Sequence, residues 1–119
     1  IIETVRNQQL KSYVFFFSDH GQEVYDDADF FGHTIDQNTT KNMFEIPMFI
    51  WTSDKYNKNK VLNFNSDNKY MTDDFIHSIA DISGIRCSEI DSTRSIFNKN
   101  FKARKRIILD SVDYDIFFK

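Results

Sequence analysis

Ser18, Asp19, His20 and Gly21 stand where an aromatic run ends, and they set a carboxylate beside an imidazole. That pair is a donor set zinc accepts, since Zn2+ binds imidazole nitrogen and carboxylate oxygen together. Ligands at the end of a rigid strand have one side of a metal site fixed before the ion arrives, and Gly21 keeps a side chain from crowding it. Neighbouring residues on a regular strand point to opposite faces, so Asp19 and His20 can share one ion only if the chain leaves β geometry here. The same four residues also suit a surface turn in which Ser and Asp bond local amides. His33 follows Gly32 in a polar stretch 13 residues beyond His20, and could bring a second imidazole over a metal or onto a phosphate oxygen.

Other reactive side chains have plainer readings. Glu23, Asp26, Asp27 and Asp29 form an acidic cluster that could hold a further cation but equally serves to keep a loop solvated. Arg104, Lys105 and Arg106 could meet a phosphate or an anionic membrane surface, or simply form a solvated basic run. His77 falls beside the apolar stripe of a helix and reads as a surface or partly buried residue without a role. Cys87 is the single cysteine, with no partner for a disulfide and no neighbouring base to mark it as a nucleophile.

The elements that must position these residues can be read from pattern. Residues 12–17, Ser-Tyr-Val-Phe-Phe-Phe, form an unbroken apolar run that predicts a strand covered on both faces, as in an α/β sheet with helices packed on each side. Sites in such sheets form at the carboxyl ends of strands. Residues 22–44 read as a long polar loop with at most short helical turns, and loops of that length are usually functional or disordered. A second strand is expected at 48–51, with Pro47 at its start where a missing N–H costs least. Residues 54–68 predict a short exposed helix anchored by Val61, Leu62 and Phe64. The clearest helix begins at Thr72, whose hydroxyl would cap it, carries Phe75, Ile76, Ile79, Ala80 and Ile82 on one stripe, and ends at Gly84. Residues 105–109 suggest a short strand, and 112–118 an edge strand.

Composition narrows the partners. With 119 residues, 40% of them hydrophobic, the chain is long enough for one folded domain. Fifteen basic residues against eighteen acidic ones leave a net charge of −3, and no basic stripe with stacking aromatics argues for nucleic acid. No apolar stretch approaches the roughly 20 residues of a membrane helix. Residues 1–11 resemble the later turns of a helix whose beginning lies upstream, where any targeting segment or anchor would also lie.

The segment from Tyr13 to Asp26, with Ser18-Asp19-His20-Gly21 at its centre, the later Gly32-His33, and the stretch from Met43 to Ser53 together resemble the phosphoethanolamine transferases of the alkaline-phosphatase and sulfatase superfamily. The branch that decorates lipopolysaccharide core sugars is the most similar. Residues 73–77, 83–85, 91–97 and 104–107 resemble that family's closing segments, so the likeness runs over nearly the whole chain. It implies that residues 1–119 are the C-terminal portion of a single sulfatase-like catalytic domain. The fold would be part of an α/β three-layer sandwich, a mixed sheet flanked by helices, incomplete here because the upstream half and a membrane anchor are absent.

The implied activity is zinc-dependent transfer of phosphoethanolamine from phosphatidylethanolamine, through a threonine, to lipopolysaccharide at a core sugar or lipid A. Asp19 and His20 would match two zinc ligands, and His33 a histidine that contacts the transferring phosphate. The nucleophilic threonine and the remaining acidic ligand come from upstream segments in that family, so Thr34, Thr39 and Thr40 are not assigned that role and this portion alone would be inactive. Gln22 stands where many relatives have an acidic residue and is assigned nothing. The catalytic domain would face the periplasm, tethered to the bacterial inner membrane. Alternative readings are a sulfatase or phosphodiesterase hydrolase, or a phosphoglycerol transferase, of the same superfamily; a non-enzymatic interaction domain would leave the combined spacing unexplained.

Overall fold

A run of aromatic residues needs a neighbouring strand for its backbone groups, and in the computed structural model, which describes residues 1–36 and 38–119, it finds one. The chain divides into two units, Ile1–Lys60 and Val61–Lys119. The first holds helix α1 (Ile2–Asn7), strands β1 (Tyr13–Phe17), β2 (Glu23–Val24), β3 (Phe31–Gly32) and β4 (Met48–Thr52), and helix α2 (Asp54–Asn57). β1 and β4 pair antiparallel, Tyr13 opposite Thr52 and Phe17 opposite Met48.

Ser53 fastens this ladder to α2. Its hydroxyl accepts the Tyr56 N–H at 3.2 Å, capping the helix, and the Ser12 N–H at 3.0 Å, while it donates to the Leu10 carbonyl at 3.0 Å. Tyr56 is thereby buried and meets Tyr13 edge-on, ring centres 6.0 Å apart. The expected short helix after residue 54 is present, but Tyr56 anchors it, whereas Val61 and Phe64 are exposed.

Two expectations for this unit are overturned. β1 is not covered on both faces: Phe16 is 47% exposed and stacks on Phe49, itself 48% exposed, at a centroid distance of 5.0 Å. A two-stranded ladder cannot cover both faces of its own strands. Residues 22–44 are also more ordered than a loop. β2 and β3 form a small hairpin with Glu23 opposite Gly32, and a 3-10 turn, Lys41–Met43, comes after it. Short strands joined by an Asp-rich turn offer too few alternating residues to register as periodicity.

The second unit is built on α3 (Phe75–Ser83), with β5 (Ile107–Ile108) and β6 (Val112–Asp113) pairing antiparallel before α4 (Tyr114–Phe117). A 3-10 turn, Thr72–Asp74, leads into α3, and neither Thr72 nor any other side chain caps it. Asp74 turns instead to Arg94 and Arg104, accepting at 2.6 and 2.5 Å, so its buried carboxylate is matched by two guanidinium groups. Ala80 and Ile82 are buried as expected, but Ile76 is 59% exposed and His77 is only 5% exposed.

The buried face therefore runs through His77, Ser78, Ala80 and Ile82. His77 Nδ1 accepts the Asp91 N–H at 3.2 Å, and the Ser78 hydroxyl takes the Ile96 N–H at 3.2 Å and meets the Tyr70 hydroxyl at 2.7 Å. Burial pushes the Tyr70 phenol up to about 12. Ile96 and Phe97 complete this core, and each such side chain contributes about 2 kcal/mol when removed from water. The tail forms two strand residues and then a helix rather than an edge strand, because Asp113 caps α4 by accepting the Asp115 N–H at 3.0 Å. Among the described residues no helix is long and apolar enough to cross a membrane.

Gly84 ends α3 at φ +74°, with the Ile85 N–H donating to the Ala80 carbonyl at 2.8 Å and the Gly84 N–H to the Asp81 carbonyl at 3.1 Å. A Cβ added there would meet nothing within 4 Å, so only backbone conformation opposes it. Gly84→Ala is expected to lower stability by about 1 kcal/mol, measured by urea denaturation of the variant beside the native chain.

Candidate metal centre

β1 ends at Phe17, and Asp19 and His20 lie in the bend just beyond it, which meets the requirement that the chain leave β geometry there. Three short hydrogen bonds hold the bend. Ser18 Oγ donates to the His20 carbonyl at 2.8 Å, the His20 N–H donates to Asp19 Oδ1 at 3.1 Å, and His20 Nδ1 lies 2.7 Å from the Gly21 carbonyl. A carbonyl can only accept, so Nδ1 carries the ring proton and Nε2 is left with its lone pair. A ligating histidine is ordinarily held this way, one nitrogen donating to an oxygen and the other facing the metal.

Gly21 has a different purpose from the one its position suggested. A Cβ there would sit 2.1 Å from the Asn42 carbonyl oxygen and 2.9 Å from that of Glu45, both backbone atoms. The glycine makes room for the chain at 42–45 rather than for an ion.

That neighbouring segment also receives His33. Its Nε2 lies 3.1 Å from the Met43 carbonyl, so Nε2 is protonated and Nδ1 carries the lone pair. Met43 is the most buried large hydrophobic residue of this unit, and its sulfur accepts the Thr34 N–H at 3.5 Å. The His20 and His33 rings stand edge to face with centroids 5.6 Å apart, and His33 meets Phe44 at 6.0 Å. The fold thus gathers Asp19, His20 and His33, all exposed, at one end of the β1–β4 ladder.

The acidic cluster does not act as one. Asp26, Asp27 and Asp29 are exposed, whereas Glu23 has no exposed surface at all. Its Oε2 accepts from Thr40 Oγ1 at 2.6 Å and Asn42 Nδ2 at 3.2 Å, and its Oε1 from the N–H groups of Asp26 at 2.5 Å and Asp27 at 3.0 Å. The Thr40 bond, with the backbone and Asn42 donors, outweighs burial and draws the Glu23 carboxyl down to about 2. Glu23, Thr40 and Asn42 escape a reading of the sequence alone. The only available signal is a Glu two residues after Gly21 in a stretch able to pair with Phe31–Gly32.

The donor set fits zinc as far as it goes: one carboxylate and one imidazole with the correct nitrogen available. Among the described residues no group of three or more His, Cys, Asp or Glu side chains converges on a single metal position. In the second unit, Cys87 is exposed and His77 lies within the core.

Comparison with known proteins gives this arrangement a context. The sulfatase family model matches residues 1–85, most of the chain and all of Asp19, His20, Glu23, His33, Thr40 and Asn42. The chain belongs to the sulfatase family. It is 33% identical, over 97% of its length, to the phosphoethanolamine transferase EptC of Escherichia coli, and 33% identical over 87% of its length to the phosphoethanolamine transferase CptA of Salmonella typhimurium. This sulfatase-family chain spans 22% of the first relative and 19% of the second. Among solved structures it matches the C-terminal periplasmic domain of EcEptC from Escherichia coli with a TM-score of 0.85 and 31% identity, covering 96% of this chain and 35% of that one. The same domain solved in complex with Zn matches with a TM-score of 0.84. The α/β, sulfatase-like fold expected from the sequence is therefore the fold of this chain.

The site's geometry predicts two outcomes. Gly21→Ala is expected to destabilise the chain by roughly 2 kcal/mol or more, since the intruding methyl meets backbone that has no rotamer to give, and thermal unfolding would show it. Glu23 has a folded-state pKa below its ordinary value, so its contribution is complete above pH 4.5 and is lost as pH falls toward about 2. Melting temperatures across that window, followed by circular dichroism, should fall steeply for the native chain and less for Glu23→Gln.

Proposed function

We propose that this chain is the C-terminal portion, residues 1–119, of the catalytic domain of a zinc-dependent phosphoethanolamine transferase. The observation that carries the reading is the Asp19–His20 bend, with its Nδ1–H anchored on the Gly21 carbonyl. It lies in a chain one-third identical over nearly all its length to a phosphoethanolamine transferase. In this reading the donor is phosphatidylethanolamine and the acceptor is lipopolysaccharide, at a core sugar or lipid A. The attacking threonine and a further acidic ligand come from other segments of the parent protein, which is held in the inner membrane with this domain in the periplasm.

Zinc bound at such a site lowers the pKa of a coordinated hydroxyl and neutralises charge on phosphoryl oxygens. The chain's own residues set that up. Asp19 presents a carboxylate beside His20, whose fixed tautomer presents Nε2 rather than a proton to a cation. His33 has spent Nε2 on the Met43 carbonyl, so Nδ1 is the nitrogen left for a phosphoryl oxygen. Only the imidazolium carries a proton there. His33 therefore supports developing phosphoryl charge, or protonates a leaving oxygen, in its doubly protonated form. The β1–β4 ladder and the Gly21 carbonyl hold the Asp19–His20 bend, and the Met43 carbonyl holds His33, so the carboxylate and both rings are organised before substrate arrives.

The names of the two curated relatives favour a transferase over the hydrolase and phosphoglycerol readings. Donor assays with phosphatidylethanolamine and phosphatidylglycerol separate the last of these. In the full-length protein, Asp19→Ala and His20→Ala are each expected to lower bound zinc and to reduce phosphoethanolamine transfer by more than about 100-fold. Retention of both zinc, by elemental analysis, and transfer, by mass spectrometry of the acceptor, would overturn the proposal.

A further inference from the structure

Glu23 is a buried carboxylate whose four donors are all neutral: two backbone N–H groups, a hydroxyl and a carboxamide. A buried charge is tolerated only where donors answer it, so the four groups are held in place by the carboxylate as it is by them. The donors come from two separate stretches. Oε1 gathers the turn at 26–27, and Oε2 gathers Thr40 and Asn42. The second stretch holds His33 directly and packs against the glycine that holds His20. The Asn42 carbonyl lies against Gly21, the residue whose own carbonyl fixes the His20 ring, and the next carbonyl, that of Met43, holds His33 Nε2. Exposed Asp27 adds one more tie, accepting from Asn42 Nδ2 at 3.0 Å.

We infer that Glu23 is a positioning residue of the proposed zinc and phosphate site: its carboxylate anchors residues 40–42, which keeps the Met43 carbonyl on His33 and the Asn42 carbonyl against Gly21, and so sets the His33 tautomer and the separation of the two rings. Nothing in this chain of contacts requires Glu23 to touch metal or substrate. A carboxylate is needed rather than an amide because all four partners donate. A glutamine would turn two N–H groups toward the Thr40 hydroxyl or the Asn42 amide, and one of those bonds must break or reverse. The hydroxyl of Thr40, so close to the histidines in sequence, is engaged as a donor to Glu23 and takes no part as a nucleophile. The inference rests on the functional reading above for its importance, but its geometry can be tested without metal or activity.

The measurement is long-range 1H–15N correlation spectroscopy of the 119-residue chain, labelled with 15N-histidine, at mildly alkaline pH. The native chain should show the Nδ1–H tautomer for His20, the Nε2–H tautomer for His33 and a cross-relaxation peak between the two rings. Glu23→Gln and Thr40→Val should convert His33 to a mixture of tautomers and remove that peak, while Thr40→Ser, which keeps the hydroxyl, should retain both. Where Glu23→Gln does not fold, the Thr40→Val and Thr40→Ser pair carries the same comparison. Native tautomers and an intact ring-to-ring peak in Thr40→Val would overturn the inference. Zinc titration of the full-length protein is the second arm, with affinity expected to fall 10- to 100-fold in Glu23→Gln. Altered tautomers with unaltered zinc affinity would uphold the positioning of His33 and overturn any effect of Glu23 on the zinc ligands. Unaltered tautomers, with zinc still lost in Asp19→Ala, would remove the positioning role alone.

Discussion

A carboxylate with no exposed surface must have its lone pairs answered by donors, and Glu23 makes that demand in the first unit. The demand reaches across the sequence. It draws the 26–27 turn back onto β2 and draws Thr40 and Asn42 up against the hairpin, so a polar stretch without helical or strand periodicity acquires a defined course. The small ladder between β2 and β3 would be marginal alone, since two residues per strand make few backbone bonds. With Glu23 bonded to both of its flanks, the hairpin and the 40–43 segment are stabilised together.

Backbone carbonyls do the finer work around the site. The two histidines are held in opposite tautomers, His20 through Nδ1 on Gly21 and His33 through Nε2 on Met43. Imidazole offers its two nitrogens to different tasks, and which task each takes is decided by the oxygen the other nitrogen meets. The approach of residues 42–45 to Gly21 sets the Met43 oxygen, and with it His33, beside the His20 bend, and only a residue without a Cβ permits it. One substitution at Gly21 would thus displace supports of both rings, although the glycine touches neither a metal position nor a substrate.

The legible parts of the sequence are those whose cause is local. The aromatic run and Pro47 announce β1 and β4, the change to Ser-Asp-His-Gly marks the strand end, and Gly84 closes α3 with the left-handed turn its position implies. The illegible parts are the effects of partners far along the chain. Thr72 is a reasonable cap by its own chemistry, yet Asp74 is committed to Arg94 and Arg104, 20 and 30 residues away, and the entry to α3 winds as a 3-10 turn instead. His77 and Ser78 turn inward, and Ile76 outward, because the segment at 91–96 presents N–H groups that need acceptors. Glu23 looks like one of four loop acids because nothing in its immediate neighbourhood distinguishes it. Only Thr40 and Asn42 do.

The exposure of β1 bears on the same question of what this chain requires. Phe16 and Phe49 stack across the ladder and leave about half of each side chain in water, and such an apolar face on a central-looking strand costs free energy for every uncovered square ångström. Asp19 and His20 likewise offer two donors where a catalytic zinc site is built from three protein ligands and an open position. Both shortfalls lie on the same ladder, one on its faces and one at its carboxyl end. In the proposed parent domain, elements packed on the faces of this ladder would cover the phenylalanines, and strands added beside β1 would bring further loops to the end where Asp19 and His20 lie. On the proposed reading, covering the ladder and completing the metal site would go together. On that reading Asp19 and His20 are oriented by their own hydrogen bonds, while the chemistry they would support needs groups from elsewhere in the parent protein.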